Sequence, residues 1–143
     1  MIELSLNTAD VNRVLSSLEG TQHLRDAMET SLAILHDNIA RYPRQRTGSR
    51  YVRGRGMANA QGRVTRLTSQ RLGTRWTTKI TSSATELRGK VGNNVTYGPY
   101  VQDAQRQARV HAGVWSTDQS VMDLHRGEIL GIFDRALRNF GSN

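Results

Sequence analysis

Leu24, Met28, Leu32, Leu35, Ile39 and Tyr42 recur at spacings of four, four, three, four and three, and Pro43 follows at once. That rhythm places six apolar side chains on one stripe of an α-helix, and such a stripe is stable in water only when another surface covers it. The helix is expected from about Gln22 to Tyr42. It stops there because the residue before a proline is pushed out of the α region. Any fold for this chain must therefore supply a layer against this helix.

The flanking segments can supply it. Ile2, Leu4 and Leu6 alternate with Glu3 and Ser5, the period of a short strand. Asn7 or Thr8 offers an N-cap for a short helix to about Glu19, with Val11, Val14, Leu15 and Leu18 on its apolar face. Gly20 is expected to stop it, and Thr21 to cap the long helix. Further on, Thr74 to Thr81 is rich in β-branched residues and puts Trp76, Thr78 and Ile80 on one face. Glu86 to Val95 reads as a second strand, joined to the first by a hairpin turn at Ser82–Thr85. Val95 to Tyr97 reads as a brief third strand, Tyr97 to Val101 as a turn into a short helix or loop, and Val110 to Trp115 as a last strand returning to the sheet. Ser116 or Thr117 caps a final helix with Met122, Ile129, Ile132, Phe133, Ala136, Leu137 and Phe140 on its buried side, ended by Gly141. The expected fold class is α+β: a single domain over 1–143 with a long N-terminal helix, a small mainly antiparallel sheet and a C-terminal helix packed on the sheet.

Between helix and sheet the charge is lopsided. Asn38 to Thr85 holds ten arginines, one lysine and no acid. Residues 1–37 carry six acids and two arginines, a net of −4, and residues 86–143 carry seven bases and six acids, a net of +1. One segment thus accounts for more than the whole excess of +8. Of the twenty bases eighteen are arginine, which suits bidentate pairing with carboxylate or phosphate. From Arg44 to Leu72 neither helical nor strand period survives, so 44–72 is expected as a basic extended arm or loop. Two partners fit it: nucleic-acid phosphates, or the acidic 1–37 region of a second copy. The candidate interface residues are Arg44, Arg46, Arg50, Arg53, Arg55, Arg63, Arg66 and Arg71.

Catalytic chemistry finds little support. The four histidines, His23, His36, His111 and His125, show no metal-ligand spacing, and no carboxylate pair stands beside His111. Ser116, Thr117 and Asp118 spell a helix cap. Arg53-Gly54-Arg55-Gly56 matches neither a P-loop nor a dinucleotide fingerprint. No enzyme activity, metal or cofactor is expected. Trp76, Tyr97, Tyr100 and Trp115 read as core or interface anchors, with base stacking as the alternative. The chain has no cysteine, no apolar run long enough to cross a bilayer and no secretion signal, so a soluble protein made in the cytoplasm is expected.

Several short motifs occur in a recognisable order. Tyr42-Pro43 precedes Arg46-Thr47-Gly48, then Arg71-Leu72-Gly73-Thr74-Arg75-Trp76, then Gly89-Lys90-Val91-Gly92-Asn93-Asn94-Val95-Thr96-Tyr97-Gly98-Pro99-Tyr100-Val101-Gln102. His111-Ala112-Gly113-Val114-Trp115-Ser116-Thr117 and an amphipathic helix complete it. Over residues 30–140 the chain resembles the tail-completion (minor tail, neck) proteins of lambda-like siphophages and related prophages. The resemblance implies a non-enzymatic virion protein that forms a homo-oligomeric ring around the DNA channel and docks connector, tail-terminator or tail-tube proteins. Contact with the channel DNA would be a further use of the arginines. It also implies that Tyr97, Pro99 and Tyr100 belong to a hallmark turn serving fold or interface. Gln102-Asp103-Ala104-Gln105 departs from the acidic residue and glycine expected soon after Val101, and the basic arm is longer than the pattern requires.

Overall fold

The alternation of Ile2, Leu4 and Leu6 forms strand β1 (Ile2–Leu6), which pairs antiparallel with β6 (Leu87–Asn93). On its other side β6 pairs antiparallel with β5 (Trp76–Ser82), so the strand order is β1-β6-β5. The central strand decides which face is inside. Leu87, Gly89 and Val91 are buried, whereas Arg88 and Lys90 point away from the core. The computed structural model that shows this describes residues 1–6, 9–44, 51–52, 56–58, 60–66 and 71–141.

The apolar stripe lies on that face. Leu24, Met28, Leu32, Leu35 and Ile39 of α2 (Leu18–Ile39) are buried almost completely. Gly89 lets the helix come close: a β-carbon there would strike the sulfur of Met28 and stand 3.0 Å from Leu32 Cδ1. The long helix differs from expectation at both ends. It starts before Gly20, because Ser17 has extended backbone and its hydroxyl accepts the Gly20 N–H at 3.0 Å. Gly20 is no stop signal; a side chain there would collide with the Val14 carbonyl, so it marks the close approach of α1 (Ala9–Leu15). Thr21 donates its hydroxyl to the Ser17 and Leu15 carbonyls and does not cap. At the far end the helix closes at Ile39, where the Ala40 N–H bonds to the His36 carbonyl, and Tyr42 is released for another contact.

The final helix, α5 (Asp118–Gly141), begins as the sequence indicates. Thr117 Oγ1 accepts the Ser120 N–H at 3.1 Å, and Ser120 Oγ accepts the Thr117 N–H at 2.8 Å. Val121, Ile129 and Phe133 are buried on its inner side. It reaches the sheet at β1, where the Met1 amino group lies 3.4 Å from Asp118, and otherwise runs along α2. Ala27 and Ser31 are buried one position round from the sheet-facing Met28 and Leu32, and small side chains suit close packing of helices. The architecture is α+β, with α2 over β5 and β6 and α5 alongside α2, reaching the sheet at β1.

The basic stretch holds regular structure that periodicity did not reveal. β2 (Tyr51–Val52), β3 (Gly56–Ala58) and β4 (Val64–Arg66) form a second antiparallel sheet in the order β2-β3-β4. Strands of two or three residues are too short to show alternation. Gly62, with φ +75°, lies between β3 and β4, in a conformation that glycine adopts without steric penalty. A single turn, α3 (Arg71–Thr74), leads into β5. Neither Val95–Tyr97 nor Val110–Trp115 is a strand. The first is a turn, and the second a run of turns in which His111 N–H bonds to the Ala108 carbonyl and Trp115 N–H to the His111 carbonyl. Val110 and Val114 are exposed, so their alternation does not mark a buried face.

Candidate assembly interface

Residues 93–117 build a lobe at the end of the molecule where α2 stops. Asn93 ends β6: its side-chain amide donates to the Leu72 carbonyl at 2.6 Å, and its Oδ1 accepts the Val95 N–H at 2.8 Å. Pro99 sits in the first turn of α4 (Gly98–Gln102), where a missing N–H costs nothing. Gln102 is buried and donates through Nε2 to the Ile39 carbonyl at 2.7 Å and the Ser116 carbonyl at 3.3 Å. It thereby satisfies a carbonyl left over at the end of α2. Gln107 Nε2 donates to Val101 and Trp115 carbonyls at 2.7 and 3.1 Å, and the Ala108 N–H bonds to the Tyr100 carbonyl at 2.8 Å. Two glutamines thus fasten a loop without strand or long helix.

Trp115 is the lobe's aromatic centre. Its ring meets Tyr42 edge-on at 5.2 Å between centroids and His111 at 6.3 Å. Tyr42 in turn accepts the Gly73 N–H on its hydroxyl at 3.0 Å. Only glycine fits at 73: a β-carbon would stand 2.8 Å from the Ala40 carbonyl and 2.5 Å from the Tyr42 ring. Partial burial pushes the His111 pKa below its ordinary value, favouring the neutral ring.

The outside of the lobe is unlike the rest of the surface. Tyr97 is 42% exposed, Tyr100 60%, Val110 76% and Val114 40%, which makes four of the seven exposed large apolar side chains among the described residues. Arg106 and Arg109 are exposed on the same segment, Arg41 and Arg44 are exposed just beyond α2, and Arg75 just before β5. None of these five makes a salt bridge to a described residue. Tyrosine and arginine with exposed aliphatic groups is the composition of a protein-binding surface, in which lysine and carboxylates are depleted.

The expected site residues divide accordingly. Trp76 is a core residue, 7% exposed, with its carbonyl 3.3 Å from His36 Nε2. Trp115, Tyr97, Pro99 and Tyr100 fall together in the lobe. Arg44 is exposed beyond α2, Arg63 is exposed in the turn before β4, Arg66 ends β4 and Arg71 opens α3. Arg46, Arg50, Arg53 and Arg55 lie outside the described residues. Sequence reasoning missed Gln102, Gln107 and the Tyr42–Trp115 pair. The polar composition of 102–109 was visible, but nothing local shows that a glutamine is buried.

Away from the lobe, the outer face of the sheet carries an ion-pair network. Glu3 lies 3.2 Å from Arg88 and 3.3 Å from Lys90, and Glu86 2.7 Å from Arg88. The Ser5 hydroxyl bonds to Glu86 at 2.6 Å and, with Arg88, holds the Glu86 carboxyl below its ordinary pKa; Glu86 and Glu3 in turn raise that of Arg88. Lys79 stands directly across from Lys90 and makes no salt bridge to a described residue. On the inner face an open cleft of about 730 Å³ runs between α2 and β5, floored by Leu32, Ala33, Trp76 and Ile80. Among the described residues no three histidine, aspartate or glutamate side chains are placed to hold a metal ion, and no helix is long and apolar enough to cross a membrane.

The chain matches no protein-family model, no curated protein and no solved structure.

Proposed function

We propose that the chain is a non-enzymatic structural protein of a tailed-bacteriophage virion, acting in tail completion or head–tail (neck) joining. Copies form a ring around the DNA channel and dock connector, tail-terminator or tail-tube proteins. The observation that supports this reading is that residues from several of the resemblance motifs meet at the lobe, while Arg46-Thr47-Gly48 lies outside the described residues. Tyr42 packs on Trp115, Gly73 bonds to Tyr42, and Asn93 bonds to the Leu72 carbonyl. The lobe also leaves Tyr97, Tyr100, Val110 and Val114 exposed, as a docking surface requires. The site of action on this reading is the virion, reached by assembly in the host cytoplasm.

Gene deletion in the phage that carries it tests the proposal. Deletion should leave heads and tails unjoined, the wild-type gene should restore infectious particles, and a Tyr100→Glu, Val110→Glu double variant should not. Normal particle yield without the gene would refute it. The five exposed arginines around the lobe favour one alternative, a standalone nucleic-acid-binding protein. That reading requires binding by the purified chain that weakens steeply with added salt.

A further inference from the structure

The three-stranded sheet has two open edges, β1 and β5. Their backbone polarity follows from the hairpin. The Ser83 N–H bonds to the Glu86 carbonyl, so Thr81, Lys79 and Thr77 bond to β6 while Thr78, Ile80 and Ser82 turn their N–H and C=O groups outward. The Trp76 carbonyl, on the same outward series, is met by His36. Across β6 the alternation continues: Ile2, Leu4 and Leu6 bond inward and Glu3 and Ser5 point outward. No described residue bonds to the outward groups of Glu3, Ser5, Thr78 or Ile80. Such edges are templates for another strand unless something covers them.

We propose that β5 of one copy pairs in parallel with β1 of a second copy, continuing the sheet from subunit to subunit. Parity permits registers that differ by two residues, and the charges pick one of them. Ile80 lies beside Leu4 of the second copy, and its N–H and C=O bond to Glu3 and Ser5 of that copy, which are the residues whose groups face out. Lys79 then lies beside Glu3 of the second copy on the outer face. Within one copy Glu3, Lys90 and Lys79 form a single row across the sheet, acid, base, base. Lys79 has only a like charge next to it, and the next copy's Glu3 supplies the missing opposite one. The two-fold alternative is worse. Two β5 strands paired antiparallel in full register centre on Lys79 and place Lys79 against itself at the closest type of pair. Opposite charge thus favours a head-to-tail contact over that full-register two-fold pair, and such a contact closes into a ring or runs on as a filament. The inference rests on the ring reading above and gives the ring its subunit contact.

Cysteine cross-linking tests it cleanly, because the chain has no cysteine of its own. Neighbouring strands lie about 4.8 Å apart, within reach of a disulfide. Inside one copy β6 separates Glu3 from Lys79 by two strand spacings, roughly 9–10 Å, which is too far for one. A Glu3→Cys, Lys79→Cys double variant, oxidised at high concentration, should give a ladder of dimer, trimer and larger species on a non-reducing gel. Either single variant should stay monomeric. Ser5→Cys with Thr81→Cys, the next row, should repeat the ladder if loss of the Glu3 ion pairs harms folding. Adding Thr78→Pro, which removes an outward N–H only, should abolish it. Dimers from Lys79→Cys alone, or no ladder from either double variant, would overturn the proposal. A missing ladder with the chain present in virions defeats this contact alone; a ladder with the chain absent from virions defeats the functional reading.

Discussion

Gly73→Ala isolates the packing that joins the lobe to the body of the fold. Gly73 lies in α3, where alanine would ordinarily gain up to about 1 kcal/mol of helix propensity. Against this, the new methyl would stand 2.8 Å from the Ala40 carbonyl and 2.5 Å from the Tyr42 ring. A backbone carbonyl cannot rotate away, so Tyr42 or α3 must move. Moving Tyr42 breaks the 3.0 Å bond from Gly73 to its hydroxyl, worth about 0.5–1.5 kcal/mol. It also spoils the edge-on contact with Trp115, worth about 0.5–1.5 kcal/mol. With strain added and propensity subtracted, the net loss is about 1–3 kcal/mol. For 143 residues this lowers Tm by roughly 3–10 °C, using about 2.1 cal/mol/K of unfolding entropy per residue. Calorimetry reads the shift, and near-ultraviolet circular dichroism reads the loss of the Tyr42–Trp115 environment. The matched control is Gly127→Ala in α5, where a β-carbon meets nothing within 4 Å and Tm should rise. A Gly73→Ala protein as stable as Gly127→Ala, with an unchanged aromatic signal, would refute the argument.

Three further outcomes follow. Ser17→Ala removes the N-cap of α2 and should cost about 1 kcal/mol in urea unfolding, with no change in the slope against denaturant. Lowering the pH should destabilise the fold in two stages read by Tm. His111 and Glu86 both have folded pKa values below their ordinary ones, so each contributes stability above its unfolded pKa that is lost as pH falls through the folded value. The first loss begins below about pH 6.5 and should vanish in His111→Phe; the second lies below about pH 4.3 and should vanish in Glu86→Gln. Tyr100→Glu should leave the unfolding free energy within about 0.5 kcal/mol of the parent, since the ring is 60% exposed, while abolishing particle assembly in a complementation assay.

The layers were legible wherever one period ran long enough. The stripe from Leu24 to Ile39 and the face from Met122 to Phe140 each repeat over several turns, and both became helices. The hairpin of β5 and β6 was equally plain from its β-branched and alternating residues. Glycine misled at one place: Gly20 stands where a stop was expected, yet its role is to let the Val14 turn come near. A glycine needed for close approach looks the same in sequence as one needed to end a helix. The alternation at Val110–Trp115 misled in another way, because local turn bonds and the Trp115 contacts decide that segment. Tyr97 and Tyr100 could be singled out from the motif, but the joining of Tyr42, Gly73 and Trp115 depends on residues remote in sequence. Gln102 was hidden for the same reason, since its value comes from the Ile39 carbonyl it reaches.

On the proposed function, this chain is a repeated structural subunit at the head–tail junction of a phage particle. Cryo-microscopy of purified particles from the phage that carries the gene tests it most directly. A closed ring of copies is expected at the head-proximal end of the tail, with the 93–117 lobe against a neighbouring protein. Particles that contain no copy of the chain, or that carry it without a ring, would contradict the claim.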